Sequence, residues 1–432
     1  MRVERPRGTR DFLPEEMRKR RLMEEQMRAI AERWGYEEIR TPTFESAELF
    51  TLKSGQEILK EMYEFEDKSG RHLALRPELT APVIRLYLNE LKMSPKPSKF
   101  YYFGNCFRYE EPQMARYREF WQFGTEIIGT DTAEAQAELI ALAFAILKAL
   151  DVEAKLHVGH VGLIRELLRR RQLEDKQINN IMRLMDKGEQ EKVKEIMHDW
   201  GVSKDDIEDL FFLTKLEGKE ALKNPHFINI IGHNSESLGE LEKLLEILNY
   251  YSVEYTLNLG IARGLDYYTG MVFEIYEAGG KLGAQNQLCG GGSYRLAALF
   301  GGEDVPSTGF AFGFDRLAEI FKENKRPLRR MSVAVVPIRD GDANSKVIKE
   351  AISVTSRLRK FVPTQIDLMN KSLKAQLKYA NSRKDSFAVI IGENEVKNGV
   401  VTLRNLKSGS QEEKGRDECI EFIKDYKRTK HL

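Results

Sequence analysis

Two β-rich, aromatic segments that carry ionic groups constrain this chain more than any other feature: Phe107-Arg108-Tyr109-Glu110-Glu111-Pro112, and Tyr117-Arg118-Glu119-Phe120-Trp121-Gln122-Phe123-Gly124-Thr125-Glu126. Side chains alternate across a strand. Arg118, Phe120, Gln122, Gly124 and Glu126 therefore share one face, and Trp121, Phe123, Thr125 and Ile127 line the other. The first face cannot be plain core, because buried charges need partners. In the preceding segment the same period groups Arg108 with Glu110, beyond the small residues Gly104 and Cys106, and leaves Phe103, Phe107 and Tyr109 opposite. Small residues beside charged ones are expected to leave room for a ligand. Pro112 has no N–H to give to a ladder, so the pair predicts a hairpin with a reaching loop. Charged residues on a half-exposed antiparallel sheet are common. Arg108, Arg116 and Arg118 beside Glu110, Glu126 and a stackable ring are more specific. Arginine forks pair bidentately with phosphate oxygens, and the set has the composition of a site for phosphates and an adenine.

A chain of 432 residues is long enough for two or three cores. Its 41% hydrophobic and 31% charged content is that of a soluble globular protein. No apolar run approaches the roughly 20 residues of a membrane helix. The opening Met1-Arg2-Val3-Glu4-Arg5-Pro6 has no apolar h-region, so the expectation is no export signal and a cytoplasmic location. Cys106, Cys289 and Cys419 are too scattered for a metal knuckle and too few for a disulfide framework. His157 and His160 have a spacing that suits a metal pair, yet they sit where a strand runs into a turn. A structural role is expected, and no metal site within the protein. The net charge of +1 hides an asymmetry: residues 329–432 carry 22 lysines and arginines against 13 acids, while the remainder is acidic by eight. A basic C-terminal part on an acidic body points to a polyanion as partner.

Pro14 to Trp34 reads as a helix, with Glu15 and Glu16 suited to its N-terminal dipole, Met23, Met27, Ile30 and Trp34 on one face, and Gly35 ending it. Tyr36 to Pro42 reads as a strand, Leu73 to Pro82 as the end of a hairpin opening a helix, and Ala133 to Leu150 as a buried helix. Residues 160–240 are helical and charge-rich, an insertion between two halves of a sheet whose strands return at Val253–Leu259 and Met271–Tyr276. A linker spans Lys322 to Arg330. Beyond it, strands at 333–337, 365–367 and 388–391 alternate with helices, and a hairpin is expected at Asn398-Gly399 before a final helix. This predicts a compact α/β domain with a largely parallel sheet.

Four segments together resemble the histidyl-tRNA synthetases, class II aminoacyl-tRNA synthetases, over nearly the whole chain. They are Phe-Arg-Tyr-Glu at 107–110, the run from Arg116 to Glu126, Ile261-Ala262-Arg263-Gly264-Leu265-Asp266-Tyr267-Tyr268-Thr269-Gly270, and Thr308-Gly309-Phe310-Ala311-Phe312-Gly313-Phe314-Asp315-Arg316. The resemblance implies an α+β architecture. A class II antiparallel-sheet catalytic domain would span 1–325, with a helical insertion at 160–240, and an α/β anticodon-binding domain would span 331–432. Tyr36 to Pro42 would be motif 1, which in the family builds a homodimer interface.

The resemblance also implies a ligase that activates L-histidine with ATP and Mg2+ and charges tRNA(His). Arg263 would meet the α-phosphate. Glu126 and Tyr268 would hold the imidazole, and Glu78, Thr80 and Gln122 the ammonium, with Tyr294 also in the histidine pocket. Arg108 and Arg116 would contact phosphates, Arg108 and Arg263 being the catalytic pair. Glu110 would contact adenine, Phe120 would stack beneath it, and Arg316 would close the site from above. The loop Cys289-Gly290-Gly291-Gly292-Ser293-Tyr294-Arg295 departs from the family's Gly-Gly-Arg-Tyr-Asp: Ser293 and Arg295 replace Arg and Asp. Its glycines still permit close backbone approach. Two rivals remain. A regulatory subunit of ATP phosphoribosyltransferase resembles the family but typically lacks the C-terminal domain and parts of the 261–270 signature. A class II synthetase for another amino acid would not carry Arg263 to Tyr268.

Overall fold

The structure, a computed structural model, describes residues 3–54, 59–109, 116–186, 188–261, 267–283, 286–322, 331–339 and 344–429. Two compact units divide the chain, Met1–Asn324 and Lys325–Leu432.

The first unit begins with the helix Pro14–Arg33, which has proline in its first turn, acids behind it and Arg33 in its last turn. Gly35 follows at φ +78°, a conformation that stops the helix. Strand β1 (Glu37–Glu38) comes next, then a small sheet of β2 (Phe44–Ser46), β3 (Tyr63–Glu66) and β4 (His72–Leu75) in the order β2-β4-β3. The main sheet adds β5 (Ser98–Phe107), β6 (Glu119–Ile128), β7 (Ala154–His160), β8 (Thr256–Leu257), β9 (Tyr268–Glu277), β10 (Gln287–Tyr294) and β11 (Ser307–Gly313). Its order is β1-β5-β6-β11-β10-β9-β7-β8. The six central strands are antiparallel, and only the edge strands β1 and β8 run parallel to their neighbours.

Two expected strands are shorter than their apolar patterns suggest. Past Glu38, the carbonyls of Thr41 and Pro42 accept from the Arg76 guanidinium instead of a ladder partner, at 2.8 and 2.9 Å. Past Leu257, Leu259 N–H turns away to the carbonyl of Leu216.

The hairpin β5/β6 sets the site. Its register pairs Gly104 with Gln122 and Cys106 with Phe120, so the two faces separate as alternation requires. On one face Phe103 stacks on Trp121 and Tyr101 on Phe123, under the helices Pro14–Arg33 and Ala133–Ala149. Between β7 and β8 the described residues form a series of separate helices, from Val161–Arg170 to Glu236–Tyr250. The buried stripes of these helices, among them Leu163, Ile181, Met197, Leu210 and Leu241, share one core with the sheet. The opposite face is covered only in part, where Phe100, Tyr102 and Cys106 pack with Leu79, Val83, Ile84 and Tyr87.

The second unit contains β12 (Val333–Pro337), β13 (Thr364–Ile366), β14 (Phe387–Ile391), β15 (Val400–Asn405) and β16 (Gln411–Gly415), in the order β13-β12-β14-β15-β16. The β12/β13 and β12/β14 pairs are parallel and the β14/β15 and β15/β16 pairs antiparallel, so the sheet is evenly mixed rather than largely parallel. Asn398-Gly399 is not a hairpin. Glu395 folds back to the N–H of Gly392 and to the Thr402 hydroxyl, a short helix Glu393–Asn398 forms, and Gly399 closes it at φ +70°. Positive φ at glycine serves a helix end as well as a hairpin turn, which is why the dipeptide misleads. The actual turn joins β15 to β16, where the Asn405 side chain accepts from the N–H groups of Lys407 and Ser408. Among the described residues, no helix is long and apolar enough to cross a membrane.

Candidate active site

The open part of this second face floors a cavity of about 450 Å³. Glu78, Thr80, Arg108, Arg116, Phe120, Gln122, Glu126, Tyr268, Tyr294 and Arg316 all line it, although they come from six separate stretches of chain. Arg263 and Glu110 lie outside the described residues.

One end of the cavity is built around a buried carboxyl. Glu126 Oε2 accepts from Tyr294 Oη at 2.5 Å and Oε1 from Tyr102 Oη at 3.0 Å. Burial raises this carboxyl from its ordinary 4.5 to about 7; the hydroxyls of Tyr294, Thr80 and Tyr102 offset part of the effect and the nearby charge of Glu78 adds to it. Burial first, then the Glu126 charge, holds Tyr294 and Tyr102 well above the usual phenol range, so both stay protonated as donors. Close packing makes this possible. A Cβ at Gly309, directly across the ladder, would stand 1.6 Å from Glu126 Oε2, and one at Gly124 would stand 2.4 Å from the Tyr102 hydroxyl.

A carboxyl raised in the folded state favours folding while protonated. That contribution is fully present below about 4.5 and is lost as pH rises through about 7. Glu126→Gln stays neutral throughout. The melting temperature of the parent minus that of Glu126→Gln should therefore fall between pH 5 and 7 and level off above; a difference that is flat with pH would contradict the burial of an ionisable group here.

Glu78 stands beside this carboxyl. Burial works to raise it, but the Lys53 ammonium at 2.9 Å and the N–H groups of Thr80 and Ala81 outweigh burial and hold it below the ordinary value. Lys53 also lies 4.3 Å over the ring of Tyr267, whose hydroxyl meets that of Tyr268 at 3.2 Å. Gln122 accepts from the Cys106 thiol at 3.3 Å.

The other end is cationic. Arg108 donates from Nε to the carbonyl of Pro77 and places its guanidinium 5.3 Å from the Phe120 ring centre. Arg316, at the start of the helix Phe314–Ile320, donates to the carbonyl of Gln287 at 2.6 Å. Gln287 in turn holds Glu274, which also accepts from Tyr276. A planar arginine over an aromatic ring marks a surface on which another flat cation or base can stack.

Several expectations need correction. Space beside Gly104 belongs to the protein, because a Cβ there would lie 2.7 Å from the Arg76 guanidinium. Gly291 and Gly292 also make room for the rings of Phe273 and Tyr268, while Gly290 and Gly291 still line the cavity. Ser293 and Arg295 both turn away from the cavity. Ser293 is buried and accepts from Gln136 at 3.1 Å, while Arg295 pairs with Asp304 at 2.8 Å and Asp131 at 3.5 Å. Neither side chain is among those that line the cavity. Lys53, Tyr102, Glu274 and Asp315 were not legible as site residues. Each earns its place through a partner more than ten residues away, and no local motif marks such a partner.

Comparison with known proteins agrees with this geometry. The family model described as "Histidyl-tRNA synthetase" matches residues 8–317, and the model "Anticodon binding domain" matches 332–426. A histidine–tRNA ligase from Methanosarcina acetivorans is 50% identical over 98% of this chain and 99% of its own length. One from Archaeoglobus fulgidus is 49% identical over 95% and 97%. The apo histidyl-tRNA synthetase of S. aureus superposes with a TM-score of 0.75 at 28% identity, covering 98% of this chain and all of its own. With that coverage, and with a carboxyl pocket and an arginine-rich end in one cavity, the chain belongs to the histidyl-tRNA synthetase family.

Proposed function

We propose that this enzyme is a histidine–tRNA ligase that forms histidyl-adenylate from L-histidine and ATP and transfers the histidyl group to the 3′ end of tRNA(His). The observation that carries this reading is the polarity of the cavity: a buried carboxyl among protonated tyrosines at one end, arginines and a stacking ring at the other. Histidine enters with its imidazole toward Glu126 and Tyr268. Tyr102 and Tyr294 use one lone pair on each Glu126 oxygen, and the remaining lone pairs accept an imidazole N–H. Glu78, Thr80 and Gln122 receive the substrate ammonium, with Glu78 relinquishing part of its contact to Lys53. An apolar amino acid leaves these groups unpaired, so selectivity needs no editing step.

The triphosphate lies against Arg108, Arg116 and Arg316, with adenine on Phe120 and near Glu110. The histidine carboxylate attacks the α-phosphorus in line, forming the acyl-phosphate bond as pyrophosphate leaves. Arg263 meets the charge on that phosphate. The terminal ribose hydroxyl of tRNA then attacks the carbonyl carbon, and AMP departs. Catalysis is positioning and charge neutralisation, with no protein nucleophile.

Mg2+ would arrive on the triphosphate and neutralise its oxygens. Of the described acids lining the cavity, Glu78 faces Lys53, Glu126 faces tyrosines and Asp315 faces two arginines, whereas Glu274 is held by the neutral donors Gln287 and Tyr276. One carboxylate with substrate phosphates suits magnesium, and Glu274 fits as that ligand.

Residues 1–325 form the catalytic domain in this reading, 160–240 its helical insertion and 331–432 the anticodon-binding domain. A homodimer and a cytoplasmic location are the corresponding assembly and compartment. The regulatory-subunit alternative is disfavoured by near-complete coverage of histidine–tRNA ligases, C-terminal domain included. Charging separates the two domains' roles. A chain ending at Arg330 should keep histidine-dependent pyrophosphate exchange while charging of tRNA(His) falls steeply, since the basic domain supplies phosphate contacts. A monodisperse truncated protein that charges tRNA as well as the full chain would contradict the proposed division.

A further inference from the structure

The segment from Pro6 to Leu13 precedes the first helix and has no part in the site as described so far. Thr9 closes a turn on the carbonyl of Pro6, and beyond it the chain makes contacts in two directions. Toward the hairpin, the carbonyl of Gly8 accepts from the N–H of Arg118 at 2.9 Å. Arg10 donates to the Tyr117 hydroxyl at 3.2 Å and lies 4.1 Å over the Tyr117 ring. Toward the helix Phe314–Ile320, Arg10 donates to Asp315 at 2.7 Å and to Glu319 at 3.3 Å. Asp315 is nearly fully buried. It also takes Arg20 at 2.8 Å and, on its second oxygen, the N–H of Trp121 at 2.6 Å. Phe12 lies beside both guanidinia, 4.7 Å from that of Arg10 and 4.2 Å from that of Arg20.

The partners matter for where they sit. Tyr117 and Arg118 directly follow Arg116, Trp121 lies between Phe120 and Gln122, and Asp315 directly precedes Arg316. One short segment therefore touches the residues that follow Arg116 and the residue that precedes Arg316, and reaches Trp121 beside Phe120 through Asp315. Gly8 lets it lie this close: it adopts φ +82°, and a Cβ there would stand 2.6 Å from Arg118 Cγ.

We propose that residues 6–13 are a strap whose Arg10 is a positioning residue for ATP, fixing Arg116 relative to Arg316 by tying Tyr117 to Asp315. The proposal rests on the reading that Arg116 and Arg316 hold the triphosphate. A guanidinium suits the task because its planar fork reaches Asp315 from one nitrogen and Tyr117 and Glu319 from another, whereas an ammonium on a flexible stem has no such fixed geometry. Misplacing a charge by about 1 Å is enough to cost on the order of 10²-fold in rate.

Pyrophosphate exchange on the full chain, with ATP and histidine varied separately, tests this. Arg10→Met should raise KM for ATP at least tenfold and leave KM for histidine within twofold. Arg10→Lys should fall between the two. Arg20→Met, which loosens Asp315 without touching Tyr117, should lower the melting temperature with a smaller change in KM for ATP. Equal changes for ATP and histidine, equal effects of Arg10→Met and Arg20→Met on KM for ATP, or a loss of melting temperature with KM for ATP unchanged would overturn the strap. If Arg10→Met does not fold, Gly8→Ala displaces the same segment and should show the same ATP-selective change; its absence there is equally contrary. Arg116→Ala, run alongside, separates the two ideas. If it raises KM for ATP while Arg10→Met does not, only the strap fails; if Arg116→Ala leaves KM for ATP unchanged, the reading of the nucleotide site fails and the strap with it.

Discussion

Gly309→Ala should lower kcat/KM for histidine in pyrophosphate exchange by about 10²-fold, the size expected when a buried hydrogen-bonding group is displaced from its ligand. The added methyl would occupy the place of Glu126 Oε2, 1.6 Å away, and the Thr125 carbonyl at 2.8 Å blocks the alternative. Glu126 cannot retreat easily, because Tyr102 and Tyr294 grip its two oxygens and the ladder fixes its backbone opposite Gly309. KM for ATP should change little, since the arginines stand at the far end of the cavity. The effect must also be non-additive. In a Glu126→Ala background the methyl has nothing to collide with, so the second substitution should add almost no further loss. If the double variant loses as much as the sum of the singles, Gly309 acts through the sheet and not through Glu126.

Arg263→Ala should lower kcat for adenylate formation by about 10²–10³-fold, the typical loss when one donor to developing charge is removed from a preorganised site. Histidine affinity, measured by calorimetry, should stay within a few-fold. The split follows from the proposed role: a group that meets the α-phosphate mainly in the transition state contributes to kcat more than to substrate binding. Arg263→Lys keeps the charge without the fork and should recover part of the rate. Near-normal exchange by Arg263→Ala would remove the residue from the mechanism.

What the sequence made visible is what alternation and spacing encode. The two faces of the 119–128 segment followed from period two, and the hairpin register then carried Phe120, Gln122 and Glu126 to one surface. Helix ends were visible where an acid-rich start or a glycine marked them, as at Glu15 and Gly35. Long-range partners were not. The need for glycine at 104 is dictated by Arg76, and the burial of Asp315 by Arg10 and Arg20, residues brought together only by the fold. Asn398-Gly399 failed differently, because the same positive φ closes a helix there. Lys53 could not be distinguished from any lysine on a short helix until its carboxylate partner came from the next layer.

The most direct test of histidine activation is ATP–pyrophosphate exchange with each of the twenty amino acids supplied singly, at saturating ATP and magnesium. Histidine alone should support exchange, and Glu126→Ala should abolish it. Exchange with another amino acid, or with none under conditions where the protein is folded and binds ATP, would contradict the assignment of this cavity.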